Sequence, residues 1–139
     1  MKLVGFNFKK IAVERIGDTP KNPKVNTKLD ISNIDSVDSP FFKGEEVLIK
    51  ISFLYSIEYV PNIAKIELGG NILLSVEKDK AKEILESWKE NKLSEDFRLL
   101  IFNLVLKKAN VKALELEEQM SLPLHIPMPS LKKQPKKEE

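Results

Sequence analysis

EEVLIKISFLYSIEYVPNIAKIELGGNILLSV, residues 45–76, is the stretch whose period decides the fold, and it predicts two long antiparallel strands. From Val47 to Tyr59 every odd position is apolar: Val47, Ile49, Ile51, Phe53, Tyr55, Ile57 and Tyr59. Lys50, Ser52, Ser56 and Glu58 stand among the even ones. A helix would scatter these side chains around its axis, whereas a strand collects them on one face, and β-branched and aromatic residues suit a pleated surface. Val60-Pro61-Asn62 is turn chemistry, since Pro cannot join a central ladder. The alternation then resumes on even positions, at Ala64, Ile66, Leu68, Ile72, Leu74 and Val76. Gly69 and Gly70 do not reset that phase, so they mark a bend or a close backbone approach within one strand. One apolar face thus runs across both strands. Burying it contributes roughly 1.5–3 kcal/mol per large side chain before entropy is subtracted, so a covering layer is required.

Upstream, residues 3–16 carry Phe6 and Phe8 in one phase and Ile11 and Val13 in the other, the signature of a first strand interrupted by a bulge. Gly17 to Lys24 is loop chemistry with Pro20 and Pro23, and Val25, Thr27, Leu29 and Ile31 then alternate with polar residues as a half-exposed second strand, Lys24 to Ser32. Asn33 to Gly44 is expected to be a connection. It carries Phe41 and Phe42 side by side, which either plug the edge of the core or offer an apolar surface to a partner.

Downstream the period becomes 3.6. Ala81, Ile84, Leu85 and Trp88 share one helical face, with Asp79 as the expected N-cap and Asn91-Lys92 as the stop. Ser94, followed by Glu95 and Asp96, starts a second helix that meets no Gly or Pro before Pro123 and extends to about Met120, roughly 39 Å. Between Phe97 and Leu106 the apolar residues, Phe97, Leu99, Leu100, Ile101, Phe102, Leu104, Val105 and Leu106, occupy nearly its whole circumference. One side can meet its own sheet; the other needs a second cover, most simply another copy of the chain. This makes Phe97, Leu99, Ile101, Phe102, Leu104 and Leu106 the candidate oligomer interface. From Ala109 the stripe narrows to Ala109, Ala113, Leu116 and Met120, with Lys108, Lys112, Glu115, Glu117 and Glu118 assigned to the solvated side. Leu122 to Pro129 alternates apolar residues with prolines, which excludes helix and favours an extended strip. Residues 132–139 form a charged tail of the composition expected for disorder, leaving residues 1–131 as one domain.

The 139 residues contain no cysteine, which excludes disulfides, thiolate chemistry and Cys-based zinc sites. The net charge of +2 is spread along the chain, so there is no broad electrostatic footprint for nucleic acid. No apolar run approaches the length of a membrane span and no secretory signal is visible, so the expected location is cytoplasmic. His125 is the single histidine, and reads as a polar spacer in the strip. Asp35 with Asp38, and Glu45 with Glu46, are acid pairs of a kind usually solvated. Gly69-Gly70 lacks the spacing of a phosphate-binding loop. No catalytic residue, metal ligand or cofactor site emerges, and the expectation is that the protein is not an enzyme.

Phe6-Asn7-Phe8-Lys9-Lys10-Ile11, the second strand Lys24 to Ser32, Ile66-Glu67-Leu68-Gly69-Gly70-Asn71-Ile72-Leu73 and the strip Leu122 to Pro129 occur in an order that resembles the SecB family of protein-export chaperones. The likeness covers about residues 3–130 and rests mainly on the order of elements. It implies an α+β fold, a four-stranded antiparallel sheet with a short helix and a long C-terminal helix packed on it. It also implies a dimer of dimers that holds unfolded or nascent polypeptides in apolar grooves without ATP. On this reading the client-binding residues are Ile11, Val13, Phe41, Phe42, Leu122, Leu124, Ile126 and Met128. Gly17 to Lys24 lacks the aromatic residues of the bacterial members, and Lys65 stands where they carry an acidic residue for the translocase motor, which argues against docking to that motor. The alternative is an interaction protein of the same fold with one dedicated partner, such as an antitoxin.

Overall fold

The computed structural model describes residues 1–18, 22–38 and 44–133. Four strands, β1 (Lys2–Arg15), β2 (Lys24–Val37), β3 (Glu46–Val60) and β4 (Ala64–Glu77), precede two helices, α1 (Lys78–Lys89) and α2 (Glu95–Gln119). The strands form one antiparallel sheet in the order β1-β4-β3-β2.

The period-two pattern sets the register of the central pair. Ile51 faces Ile72, Tyr55 faces Leu68 and Ile57 faces Ile66. Directly opposed residues share a face, and each of these side chains is buried. The same face continues onto both outer strands, where Phe6 lies opposite Ile72, Ile11 opposite Leu68, Val13 opposite Ile66 and Leu29 opposite Tyr55. The opposite face is mostly polar, interrupted by Leu48, Leu54 and Leu73. There Lys10 pairs with Glu67 at 2.8 Å, and Lys65 lies 3.4 Å from Glu67 and 3.7 Å from Glu58.

The bulge expected in β1 is present as a register shift between Phe8 and Lys10, with a second between Leu3 and Gly5. At that bulge β1 leans onto β4. A Cβ added to Gly70 would overlap the Asn7 carbonyl oxygen and stand 2.9 Å from Phe8 Cα, so glycine there serves a close backbone approach. The β1 backbone fills the space, and the rings of Phe6 and Phe8 converge on Phe53, at centroid distances of 5.3 and 6.4 Å.

Two expected boundaries change. β2 does not end at Ser32 but runs to Val37, because a register shift between Ile31 and Asn33 restores the phase and sets Ile34 opposite Ile51, 3% exposed. The alternation looked broken only because one residue is skipped. Asp79 is not the cap of α1. β4 passes straight into the helix, the N-cap position is Glu77 without a side-chain cap bond, and Asp79 stands in the first turn.

The remaining helix ends follow the sequence signals. Ser94 Oγ accepts from the Phe97 N–H at 3.2 Å. Asn91, with φ of 57°, ends α1: its own N–H donates to the Trp88 carbonyl and that of Lys92 to the Ser87 carbonyl. Ser121, with φ of 53°, ends α2 in the same double pattern, through Ser121 N to Glu118 O and Leu122 N to Glu117 O. Both are Schellman arrangements, which satisfy carbonyls that the last turn leaves unpaired. The core-facing stripe of α2 is Phe97, Ile101, Val105, Ala109, Ala113 and Leu116, together with a buried carboxylate, Glu117.

Candidate functional site

The apolar residues that the fold leaves open fall on β1, α2 and the strip. On β1, Phe6, Phe8 and Val13 are half-buried against the core, whereas Leu3 is 42% and Ile11 48% exposed. These side chains extend the buried face to an edge strand. On α2, Phe97 and Ile101 lie inside the chain's own core, while Phe102, Leu104 and Leu106 are half-buried and Leu99 is exposed. Leu100 and Val111, outside the expected set, are exposed as well. On the strip, Leu122 is buried, Ile126 half-buried, and Leu124 and Met128 exposed. Phe41 and Phe42 lie outside the described residues. So does the expected tail, except for the exposed Lys132 and Lys133.

The stripe as read from sequence placed Glu117 on the solvated side and His125 as a spacer. The structure overturns both readings, because Glu117 is 0% exposed and the two side chains form a buried pair, His125 Nδ1 lying 2.6 Å from Glu117 Oε1. The second carboxylate oxygen, Oε2, accepts from the Tyr59 hydroxyl and, at 2.9 Å, from the His125 backbone N–H. His125 Nε2 lies 2.9 Å from Asn110 Oδ1, which also accepts from the Tyr55 hydroxyl at 2.9 Å. The Tyr59 hydroxyl further approaches the Pro123 carbonyl, at 2.7 Å. Among the described residues, no buried side-chain nitrogen or oxygen lacks a partner.

A carboxylate among buried phenols acts on their acidity. Burial first, and the Glu117 charge second, push the Tyr55 hydroxyl up to about 12. Burial, then the hydrogen bond to Glu117, raise that of Tyr59 further still. Both phenols therefore stay protonated as donors across the physiological range.

Two signals in the sequence point to this cluster. Glu117 is the next step of the four-residue series Phe97, Ile101, Val105, Ala109, Ala113, so a core-facing stripe runs into a charge. Tyr55 and Tyr59 stand on the core face of β3, where a buried hydroxyl demands a partner. At the far end of the same cluster, Arg15 of β1 donates to the carbonyls of Met120, at 2.9 Å, and Ser121, at 2.8 Å. That side chain anchors the junction between α2 and the strip.

Among the described residues, no group of three or more His, Cys, Asp or Glu is placed to hold a metal ion, and no helix is long and apolar enough to cross a membrane. Among the described residues, the apolar side chains left open stand on the outer strand β1 and on α2, beside a strip docked through main-chain bonds.

No protein-family model matches the chain, and no curated protein matches it. Among solved structures it is similar to the Mycobacterium tuberculosis Rv1957 SecB-like chaperone in complex with a ChAD peptide from the Rv1956 HigA1 antitoxin. That likeness covers 96% of this chain and 91% of that one, with a TM-score of 0.52 and 10% sequence identity. The fold is therefore SecB-like, an α+β fold with a four-stranded antiparallel sheet, a short helix and a long C-terminal helix.

Proposed function

We propose that this protein is an ATP-independent chaperone that binds non-native or extended polypeptides through apolar surface around β1 and the strip. The observation that carries the reading is the position of Leu3 and Ile11, which lie on the sheet's buried face yet are 42% and 48% exposed on an edge strand. An extended chain can add main-chain bonds along such an edge while its alternate side chains meet the apolar residues. The SecB-like fold supports the same reading. A binder of this kind works by area and backbone contacts, and needs neither a catalytic group nor a nucleotide.

The protein assembles through α2, whose exposed Leu99, Leu100 and Val111 flank the half-buried Leu104 and Leu106. The order of association is a dimer of dimers, in the cytoplasm, with protein export as one setting. A second reading, a chaperone dedicated to one partner, is favoured by a particular observation: the similar Mycobacterium tuberculosis structure holds a peptide from an antitoxin.

Suppression of aggregation of several unrelated denatured proteins, with the oligomer's mass measured by light scattering in the same buffer, tests both. Protection of all of them near stoichiometric ratios supports the general chaperone. Protection of none by a well-folded oligomer overturns it and leaves the dedicated binder.

A further inference from the structure

Residues 122–126 are held through main chain and side chains alike. The segment has neither helix nor strand, yet its main chain is read at two points: the Pro123 carbonyl by the Tyr59 hydroxyl at 2.7 Å, and the His125 N–H by Glu117 Oε2 at 2.9 Å. Its side chains are read as well. Leu122 is buried, and the His125 ring bridges Glu117 and Asn110 while standing edge-on to Tyr55, with centroids 6.3 Å apart. Main-chain bonds for affinity and pockets for alternate side chains are how proteins hold extended peptides.

The segment begins at a fixed point, the end of α2. Ser121 lies in the left-handed region, φ 53°, and Arg15 fixes the carbonyls on the helix side of it. Beyond Ile126 the grip ends, with Met128 at 55% exposure and Leu131 fully exposed.

We propose that Tyr55, Tyr59, Asn110 and Glu117 form a seat for an extended peptide, and that residues 122–126 occupy it as an intramolecular strap which has to lift before another chain enters. The proposal rests on the chaperone reading for its purpose, but the seat stands on its own geometry. Its ligand is an extended segment with apolar residues on either side of a proton-donating side chain, the pattern Leu-Pro-Leu-His-Ile-Pro that the strap itself presents. The groups facing the His125 ring are Glu117 and Asn110 from α2 and Tyr55 from β3; Tyr59 and Arg15 act on the flanking backbone. Lifting the strap would take the His125 ring and backbone N–H from Glu117 and expose the buried Leu122, so the closed form dominates until a competing segment supplies the same groups.

A fluorescent peptide of residues 121–130 added to the full-length chain tests this directly. The His125→Ala chain, whose strap has lost its side-chain latch, is expected to bind the peptide at one site at least tenfold more tightly than the unaltered chain. Adding Glu117→Gln to that chain, or replacing the peptide's own histidine by alanine, is expected to reverse the gain. Hydrogen exchange on the same samples reports whether the strap amides open while the sheet stays protected. An opened strap with no peptide binding overturns the seat, and equal binding by the unaltered chain overturns the strap's role as occupant. Should His125→Ala fail to fold, His125→Gln, which keeps a donor toward Glu117, is expected to show a smaller gain of the same sign; no gain there overturns the proposal. Peptide binding together with no protection of denatured proteins would keep the seat and reject the general chaperone, so the two failures are distinguishable.

Discussion

Gly70→Ala is the substitution that the backbone geometry judges most sharply. The added methyl would overlap the Asn7 carbonyl oxygen and meet Phe8 Cα at 2.9 Å, where ordinary contact begins at 3.4 Å. The obstructing atoms are backbone, held by register on both sides of the Phe8 bulge, so no side chain can swing aside. β1 has to retreat from β4, and Phe6 and Phe8 lose part of their contact with Phe53. Overpacking of this kind costs typically 1–3 kcal/mol, and a backbone obstacle belongs at the upper end, about 3 kcal/mol. In a chain of this size that lowers Tm by about 10 °C. Gly69→Ala is the control: its nearest neighbours are Leu54 Cδ1 and Lys10 Cβ, both at 3.5 Å. Neither glycine has a positive φ, so alanine at position 69 is expected to be neutral or to stabilise by a few tenths of a kcal/mol, through the reduced freedom of the unfolded chain. Urea unfolding followed by Trp88, the single tryptophan, which lies half-buried on α1, measures both. If Gly70→Ala lies within about 0.5 kcal/mol of Gly69→Ala, the close-approach argument is refuted.

Three further expectations follow from the buried cluster and the helix start. Glu117→Ala removes the partner of His125 Nδ1 and of the His125 backbone N–H and leaves the Tyr59 hydroxyl only the Pro123 carbonyl; an unmet buried donor costs about 1–3 kcal/mol, against less than about 0.5 kcal/mol for exposed Glu118→Ala, and denaturant midpoints compare them. Ser94→Ala removes the oxygen that caps the Phe97 N–H and is expected to cost about 1 kcal/mol, read as a lower Tm with an unchanged m-value. At alkaline pH the phenols dominate: Tyr55 titrates at about 12 in the fold against 10.0 without it. A folded value above the unfolded one means that stability is complete below pH 10 and falls as pH rises toward 12. The share of Tyr55 in this loss is on the order of 2 kcal/mol, and Tyr55→Phe is expected to flatten the decline measured by unfolding at successive pH values.

Much of this architecture is legible in the chain because its determinants are local. The period of two in β3 and β4, the bulge in β1, the Ser94 cap and the length of α2 each depend on residues a few positions apart, and each appears where the pattern places it. The end of β2 was not legible: a skipped residue at Ser32 disguises a continuing strand, and only pairing of Ile34 with Ile51 reveals it. Of the candidate binding residues, Ile11, Leu124 and Met128 are exposed, whereas Leu122 faces inward, because Ser121 turns the chain back along α2.

What the sequence determined by itself, then, is the set of elements and the faces they bury, since periodicity is a property of neighbours along the chain. What only the tertiary structure decided is the polar chemistry of the interior. Glu117, His125, Asn110, Tyr55 and Tyr59 come from two elements and a strip, and their worth lies in meeting. A carboxylate read alone belongs on the surface by its desolvation cost; it is buried here because donors from β3 and from the strip arrive at the same point.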